Sequence, residues 1–260
     1  MRRRTSVVRS VPVARDLAHL SDEAIVALVA RSDETALAEL YDRFGRVAYG
    51  LAVRMLRGPR YPEEIAKRIP PGQRLVKGWP ILHVSPVPRF DESEWDFSVD
   101  GLVERPLRLS YSELKALPNV RVTADMHCVT GWTTLDNEWE GVSFRTLAER
   151  AGAQPGAAWV VAHCDYGYTS NLSLEAMMEE NVLVAWAHGG KPLEPDHGFP
   201  LRLVVPERYG WKSAKWLRRL ELTAENVRGF WEQRGYHVHA DPWPEERYSY
   251  QETTGADQQP

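Results

Sequence analysis

Apolar residues recur at three- and four-residue spacing over a long stretch in the first quarter of the chain. Ser21 stands before Asp22 and Glu23, a capping hydroxyl followed by acids at the positive end of a helix dipole, and predicts a helix start. A second helix is predicted from Ser32-Asp33. Its apolar stripe is Leu37, Leu40, Tyr41, Phe44, Val47, Ala48, Leu51 and Met55, and Gly58-Pro59 stops it. The pair reads as a helical hairpin over residues 1–58. Residues 59–69, with Pro62 among mixed charges, read as a linker.

From Pro70-Pro71-Gly72 onward the period changes. Trp95, Phe97 and Val99 alternate as a half-buried strand does, and so do Val120, Val122, Ala124 and Met126, which puts Cys128 just past a strand end. Ser110 and Glu113 have the spacing of a capping box for a short helix ending before Pro118. Another short helix is predicted from 143 to 151, stopped by Gly152. Residues 159–164, 182–187 and 201–205 read as buried strands, the last closed by Pro206. Short helices and strands follow one another without regular βαβ alternation, so an α+β fold is predicted over 70–250. Residues 251–260 read as a polar, disordered tail.

Composition narrows the chemistry. The chain has 260 residues and a formal net charge of −4, which gives no overall drive toward nucleic acid or an anionic membrane; Arg2-Arg3-Arg4 is a local basic arm. No run approaches the ~18 apolar residues of a membrane helix. No signal peptide is read in the opening residues, so a cytoplasmic location is expected. The 2 cysteines, Cys128 and Cys164, exclude a disulfide framework, a four-cysteine zinc site and a cysteine-ligated iron–sulfur cluster.

Two places can carry chemistry. Cys128, in Asp125-Met126-His127-Cys128-Val129-Thr130-Gly131-Trp132, can present a soft thiolate ligand at a strand end, or be a buried small hydrophobe. Downstream, Arg202, Lys212 and Lys215 fall close together with Gly198 and Gly210. Such a cluster can hold a phosphate, since glycine permits close backbone approach and cations supply charge-assisted hydrogen bonds; a solvated basic face is the alternative. The chain has no GxGxxG and no Walker-type loop, so nucleotide phosphate is not indicated. His237 and His239 read as surface or loop residues.

The segments HCVTGWTTLDNEWEGVSF, GKPLEPDHGFPLRLVVPERYGWKSAKWLRRLEL and GWPILHVSPVPRFDESEWDFSVDGLVERPLRLSYSEL resemble the sulfite oxidase superfamily of molybdopterin-binding oxidoreductases, from about Pro70 to Trp243. The resemblance implies that family's mixed-sheet domain and a molybdenum–molybdopterin cofactor. By position, it implies that Cys128 supplies a thiolate to the metal and that His83 touches the pterin. Asp165 would lie in a segment contacting the cofactor, and His197 and Arg202 would grip the pterin and its phosphate. Ser213, Ala214 and Lys215 would wrap the phosphate end, with Lys212 beside them. Tyr168 falls where sulfite oxidases keep an active-site tyrosine. Gly131 and Trp132 stand where sulfite oxidases keep an arginine for an anionic substrate, which makes the chain similar to the bacterial single-domain branch that includes methionine-sulfoxide reductases. The implied reaction is oxygen-atom transfer to or from a small molecule. Neither a haem domain nor a dimerisation domain is expected, so electrons are expected to pass through a separate partner.

Residues 20–57, LSDEAIVALVARSDETALAELYDRFGRVAYGLAVRMLRG with the neighbouring glycine, resemble the opening helices of an extracytoplasmic-function sigma factor; DETALAELYDRF carries most of the likeness. The helices that read promoter DNA are not matched, so nucleic-acid binding is not expected. The segment can be a relic, a docking element for RNA polymerase or another protein, or a hairpin packed on the enzyme domain. Three function classes therefore stand side by side: an oxidoreductase, a transcription-linked binding protein, and a cofactor carrier without turnover.

Overall fold

The computed structural model describes residues 17–56 and 61–252, and the side chains of 17–48 and 61–252. The chain divides into two compact units, Met1–Arg60 and Tyr61–Pro260.

In the first unit, α1 (Asp22–Val29) is capped by the Ser21 hydroxyl, which accepts from the Ala24 N–H. The carboxylate of Asp33 accepts from the N–H groups of Thr35 and Ala36 at the head of α2 (Glu34–Leu56). The stripe that α2 buries differs from the predicted one. Leu17, Ile25 and Ala36 are buried with Leu40 packed against them, whereas Leu37, Tyr41, Phe44 and Val47 are exposed. Helix α1 has only 8 residues and covers a narrow line along its longer partner. Arg43 closes the same side, donating to the carbonyls of Leu17, Ala18 and Leu20 and pairing with Asp22 and Glu39. The predicted positions Leu51 and Met55 lie outside the described side chains, and the predicted stop at Gly58-Pro59 lies outside the described residues.

The second unit begins inside the predicted linker. Residues of that stretch form α3 (Glu63–Ala66), and Arg68 pairs with Asp125 and Asp136, both at 2.6 Å. A bidentate guanidinium on two carboxylates holds the segment down. At the far end, Ser249–Gln251 is a short 3-10 turn and buried Glu252 pairs with Arg228, so residues 251 and 252 of the predicted tail are ordered; the rest of it, 253–260, lies outside the described residues.

Two sheets make up this unit. One contains β1 (Arg74–Leu75), β4 (Val120–Cys128), β5 (Trp132–Ser143), β8 (Leu183–His188), β9 (Lys191–Pro192) and β10 (Arg202–Val204). The other runs in the order β3 (Leu107–Ser110), β2 (Asp96–Gly101), β11 (Leu217–Thr223), β6 (Trp159–Cys164), β7 (Thr169–Ser173). Pairs β1–β5 and β2–β11 are parallel and the remaining pairs antiparallel, so both sheets are mixed. Three short helices join them: α4 (Tyr111–Lys115), α5 (Phe144–Ala151) and α6 (Leu174–Met177). The α+β class is observed. The capping box at Ser110 and Glu113 forms on α4, and the left-handed Gly152 ends α5.

The main core draws Phe97 and Val99 from β2, Phe144 and Leu147 from α5, Val184 and Trp186 from β8, and Leu220 and Leu222 from β11. A second core, with Met126, Cys128, Trp132, Trp139, Leu183 and Ala185, lies against the other side chains of β8. Strand β8 is thus buried on both faces, which is why LVAWAH reads as one apolar run rather than as an alternation. Gly141 is required where β5 crosses it: a Cβ there would stand 2.0 Å from the Val184 carbonyl oxygen.

Candidate active site

Strand β4 delivers Cys128 to its own last position, where it pairs with Trp132 across the turn into β5. The turn is closed by the Gly131 N–H on the Cys128 carbonyl at 2.9 Å, with Gly131 at φ +89°. Neighbouring segments grip the surrounding carbonyls. Gln73 donates to Cys128 O at 3.0 Å, Arg74 N to Gly131 O at 3.0 Å, Gly210 N to His127 O at 2.7 Å, and the Arg247 guanidinium to Val129 O. The peptide oxygens of His127, Cys128, Val129 and Gly131 are held, so the sulfur is aimed by the backbone. Its nearest polar neighbour is the Thr130 hydroxyl, at 3.1 Å.

Cys128 opens on a cavity of about 390 Å³. His83, Tyr168, His197, Arg202, Ser213, Ala214 and Lys215 line the same cavity, so the structure brings most of the expected site residues together around one space. Arg202 starts β10 and bridges to Lys215 across the strand pairing. Gly198, at φ +109°, sits where a Cβ would meet the side chains of both within 3.2 Å, so only glycine lets the two cations flank this turn.

Arg202 is buried. It donates to the carbonyls of His197 and Ser213 at 3.0 and 2.9 Å and lies over the rings of Trp79 and Trp139. Lys215 donates to the Asp196 carbonyl at 2.7 Å. Among the described residues neither cation has a carboxylate within salt-bridge range. Burial pushes Lys215 down to about 8, helped by the charge of Arg202, and pushes Arg202 down to about 9. His197 is stacked on Trp79 at 4.0 Å, and burial and the two cations hold it down to about 4, so its ring is neutral near pH 7. The Ser213 hydroxyl accepts from Val205 N and fixes the strand end; Ala214 is buried beside it. His83 is tied to the Ser85 carbonyl at 2.7 Å, with Asp196 3.6 Å from its other nitrogen and Trp216 against its ring.

Tyr168 donates its hydroxyl to the Trp211 carbonyl at 2.8 Å, and burial raises it well above the ordinary phenol value, so it remains a neutral donor. Two expected cofactor contacts lie elsewhere. Lys212 is fully buried behind the cavity wall, 2.6 Å from Glu232 and 2.6 Å from the Asn171 carbonyl. The geometry makes it an internal counter-ion, because the chain turns at 209–213 and sends Trp211 to the cavity and Lys212 inward. Asp165 is not among the cavity-lining residues. It sits half-buried in the 3-10 turn Asp165–Gly167, its N–H on the Trp216 carbonyl, and burial raises its carboxyl against the opposing pull of Arg218. His237 is also buried rather than superficial, its Nδ1 accepting from the N–H groups of His239 and Ala240.

Pattern reading overlooked the aromatic walls. Trp79, Trp132, Trp211, Trp216, Trp231 and Tyr236 all line the cavity. The 10 tryptophans of the sequence are the signal that could have found them: several tend to gather where a protein holds a flat organic ligand.

Residues 84–231 match the family model described as oxidoreductase molybdopterin binding domain, more than half of the chain. The chain belongs to this family. It is 46% identical over 184 residues to the uncharacterized oxidoreductase YuiH of Bacillus subtilis, covering 70% of this chain and 93% of that protein. It is 28% identical over 181 residues to the protein-methionine-sulfoxide reductase catalytic subunit MsrP of Campylobacter jejuni, covering 61% of each. The solved sulfane dehydrogenase SoxCD of Paracoccus pantotrophus shares the fold, with a TM-score of 0.50, 22% identity, and 65% of this chain and 54% of that one covered. This family member is an oxidoreductase, and its cofactor is molybdopterin.

The cavity fits that group. A molybdopterin phosphate is an anion, and buried Arg202 and half-buried Lys215 donate, among the described residues, to carbonyl oxygens and to no carboxylate, so an anion beside them would relieve their desolvation. A thiol opening on the same space supplies a soft ligand for the metal.

Proposed function

We propose that this domain catalyses oxygen-atom transfer on a small sulfur- or nitrogen-oxo compound, with Cys128 as the thiolate ligand of the metal. The observation that carries the reading is the single cavity shared by the Cys128 sulfur and two cations, Arg202 and Lys215, that pair with no carboxylate among the described residues. When bound, the cofactor would supply the two-electron redox chemistry that oxygen-atom transfer needs. In the reductive direction an S-oxide or N-oxide takes up two electrons and two protons and leaves as the sulfide or amine plus water. The electrons come one at a time from a separate carrier.

The protein's own residues bind, orient and exclude water. Arg202 and Lys215 hold the phosphate end, with the backbone of 213–215 around it. Neutral His197, stacked on Trp79, offers a flat face to the pterin. The clamped carbonyls of His127, Cys128, Val129 and Gly131 fix the sulfur, and the aromatic walls keep bulk water out. Tyr168 keeps its proton, donates its hydroxyl to the Trp211 carbonyl and holds that wall in place. Trp132, where sulfite oxidases carry an arginine, favours a neutral oxide over an oxyanion. MsrP, named above, is a relative whose name gives a methionine sulfoxide as its substrate.

The test is a substrate panel on the chain produced in a host that makes the pterin, with artificial electron carriers. Reduction of S- or N-oxides without oxidation of sulfite is expected; sulfite oxidation as the dominant activity would contradict the choice of substrate. A second reading attaches to the first unit, where exposed Leu37, Tyr41, Phe44 and Val47 offer apolar side chains to a protein such as RNA polymerase. Co-purification of polymerase with the full chain, lost on Tyr41→Glu, would support it.

A further inference from the structure

The Thr130 hydroxyl stands 3.1 Å from the Cys128 sulfur, in the turn that carries the cysteine to the cavity. Both residues line that cavity. No other hydrogen-bond partner of this hydroxyl is found among the described residues. In the free thiol either atom can be the donor. Once the sulfur binds a metal it has no proton, and only the threonine can donate. The contact is built by the backbone rather than by chance rotation. Gly131 N closes the turn onto Cys128 O, while Gln73, Arg74 and Arg247 hold the carbonyls of Cys128, Gly131 and Val129. Threonine, branched at Cβ, adds a stiff χ1 to that fixed frame.

We propose that Thr130 donates a hydrogen bond to the metal-bound Cys128 thiolate and thereby raises the reduction potential of the centre. The proposal rests on Cys128 being the metal ligand. A hydrogen bond to a ligating sulfur stabilises the electron-richer, reduced form more than the oxidised one, because reduction places more negative charge on the sulfur. Thr130 makes no contact with substrate in this account; it acts through the thiolate and is a positioning and tuning residue.

The experiment compares the full-length, molybdenum-loaded chain with Thr130→Val and Thr130→Ser. Valine keeps the shape and removes the donor; serine restores the donor. Molybdenum per chain is measured first, then the Mo(V)/Mo(IV) midpoint by redox titration followed by EPR. A bond stronger by ~1.4 kcal/mol in the reduced than in the oxidised state corresponds to a tenfold change in the one-electron ratio at fixed potential, or ~59 mV, which its removal would abolish. The expected result is a lower potential and altered Mo(V) g-values in Thr130→Val, and values close to wild type in Thr130→Ser. Equal potentials in all three loaded proteins would overturn the proposal while leaving cofactor binding intact. Loaded protein with no sulfur of Cys128 on the metal, seen as an unchanged sulfur count by X-ray absorption in Cys128→Ala, would overturn the ligand assignment and this proposal with it.

Discussion

Lys212 and Lys215 stand three residues apart in one short segment, the first fully and the second partly taken out of water, and they meet opposite fates. Lys212 is fully buried and paired with Glu232 at 2.6 Å. Lys215 faces the cavity, with a carbonyl for a partner and Arg202 beside it. The first cation is balanced inside the fold; the second and Arg202 are left for something brought from outside. Burial alone therefore does not mark a binding site. An unbalanced charge on a cavity does, because folding leaves its desolvation uncompensated until an anion arrives.

The largest expected effect comes from breaking the balanced pair. Lys212→Met leaves Glu232 buried without a counter-charge and should cost about 3–5 kcal/mol in urea unfolding, whereas Lys212→Met with Glu232→Leu should recover most of that loss. Equal losses in the single and double variants would show that the pair does not balance itself. Next comes the unbalanced side. Lys215→Met should leave the ligand-free chain as stable as wild type or more so, yet weaken pterin retention about tenfold to a hundredfold, from a charge-assisted bond of roughly 1.5–3 kcal/mol. Pterin content after dialysis, set beside an unfolding curve, decides it.

How much of this distinction was legible before folding is itself a matter of those residues. The segment KSAKW placed both lysines in a phosphate-binding cluster, and spacing had no means of separating them. Glu232 lies 20 residues beyond Lys212 along the chain, and only the packing of 209–213 against 229–236 brings the pair together. Short, locally signalled features were readable: the capping box at Ser110, the glycine stop at Gly152, the apolar strand ending at Cys164. Strand β5 was not. Its residues WTTLDNEWEGVS are half polar, and Asp136 at φ +54° together with register shifts in its pairing breaks the alternation that reveals a strand. Arg68 hid the start of the domain in the same way, since its carboxylate partners are Asp125 and Asp136, far along the sequence.

A smaller effect, in pH, sharpens the contrast. Lys215 titrates at about 8 in the folded chain and near 10.5 when unfolded. The unfolded state therefore binds more protons between those values, and stability of the ligand-free chain should rise with pH across that window. Below pH 8 the lysine is charged in both states and its full penalty is present. Comparing wild type with Lys215→Met by urea unfolding at pH 8 and pH 10 checks this: the wild type should gain on the variant as pH rises. A bound phosphate should reverse the shift and abolish the gain.

The smallest effect concerns the other cysteine. Cys164 is buried in the main core, and burial pushes its thiol far above the usual range, so it is an inert apolar filler. Cys164→Ala should keep molybdenum and turnover and lose about 1 kcal/mol of stability, a loss of the size expected for a small core truncation.

The account turns on the sulfur of Cys128 meeting the metal in the space that Arg202 and Lys215 line. Molybdenum X-ray absorption on the loaded chain and on Cys128→Ala addresses this directly. With Cys128 as the ligand, the metal has one fewer sulfur neighbour in the variant, with the pterin still held. An identical sulfur shell in the two proteins would contradict it.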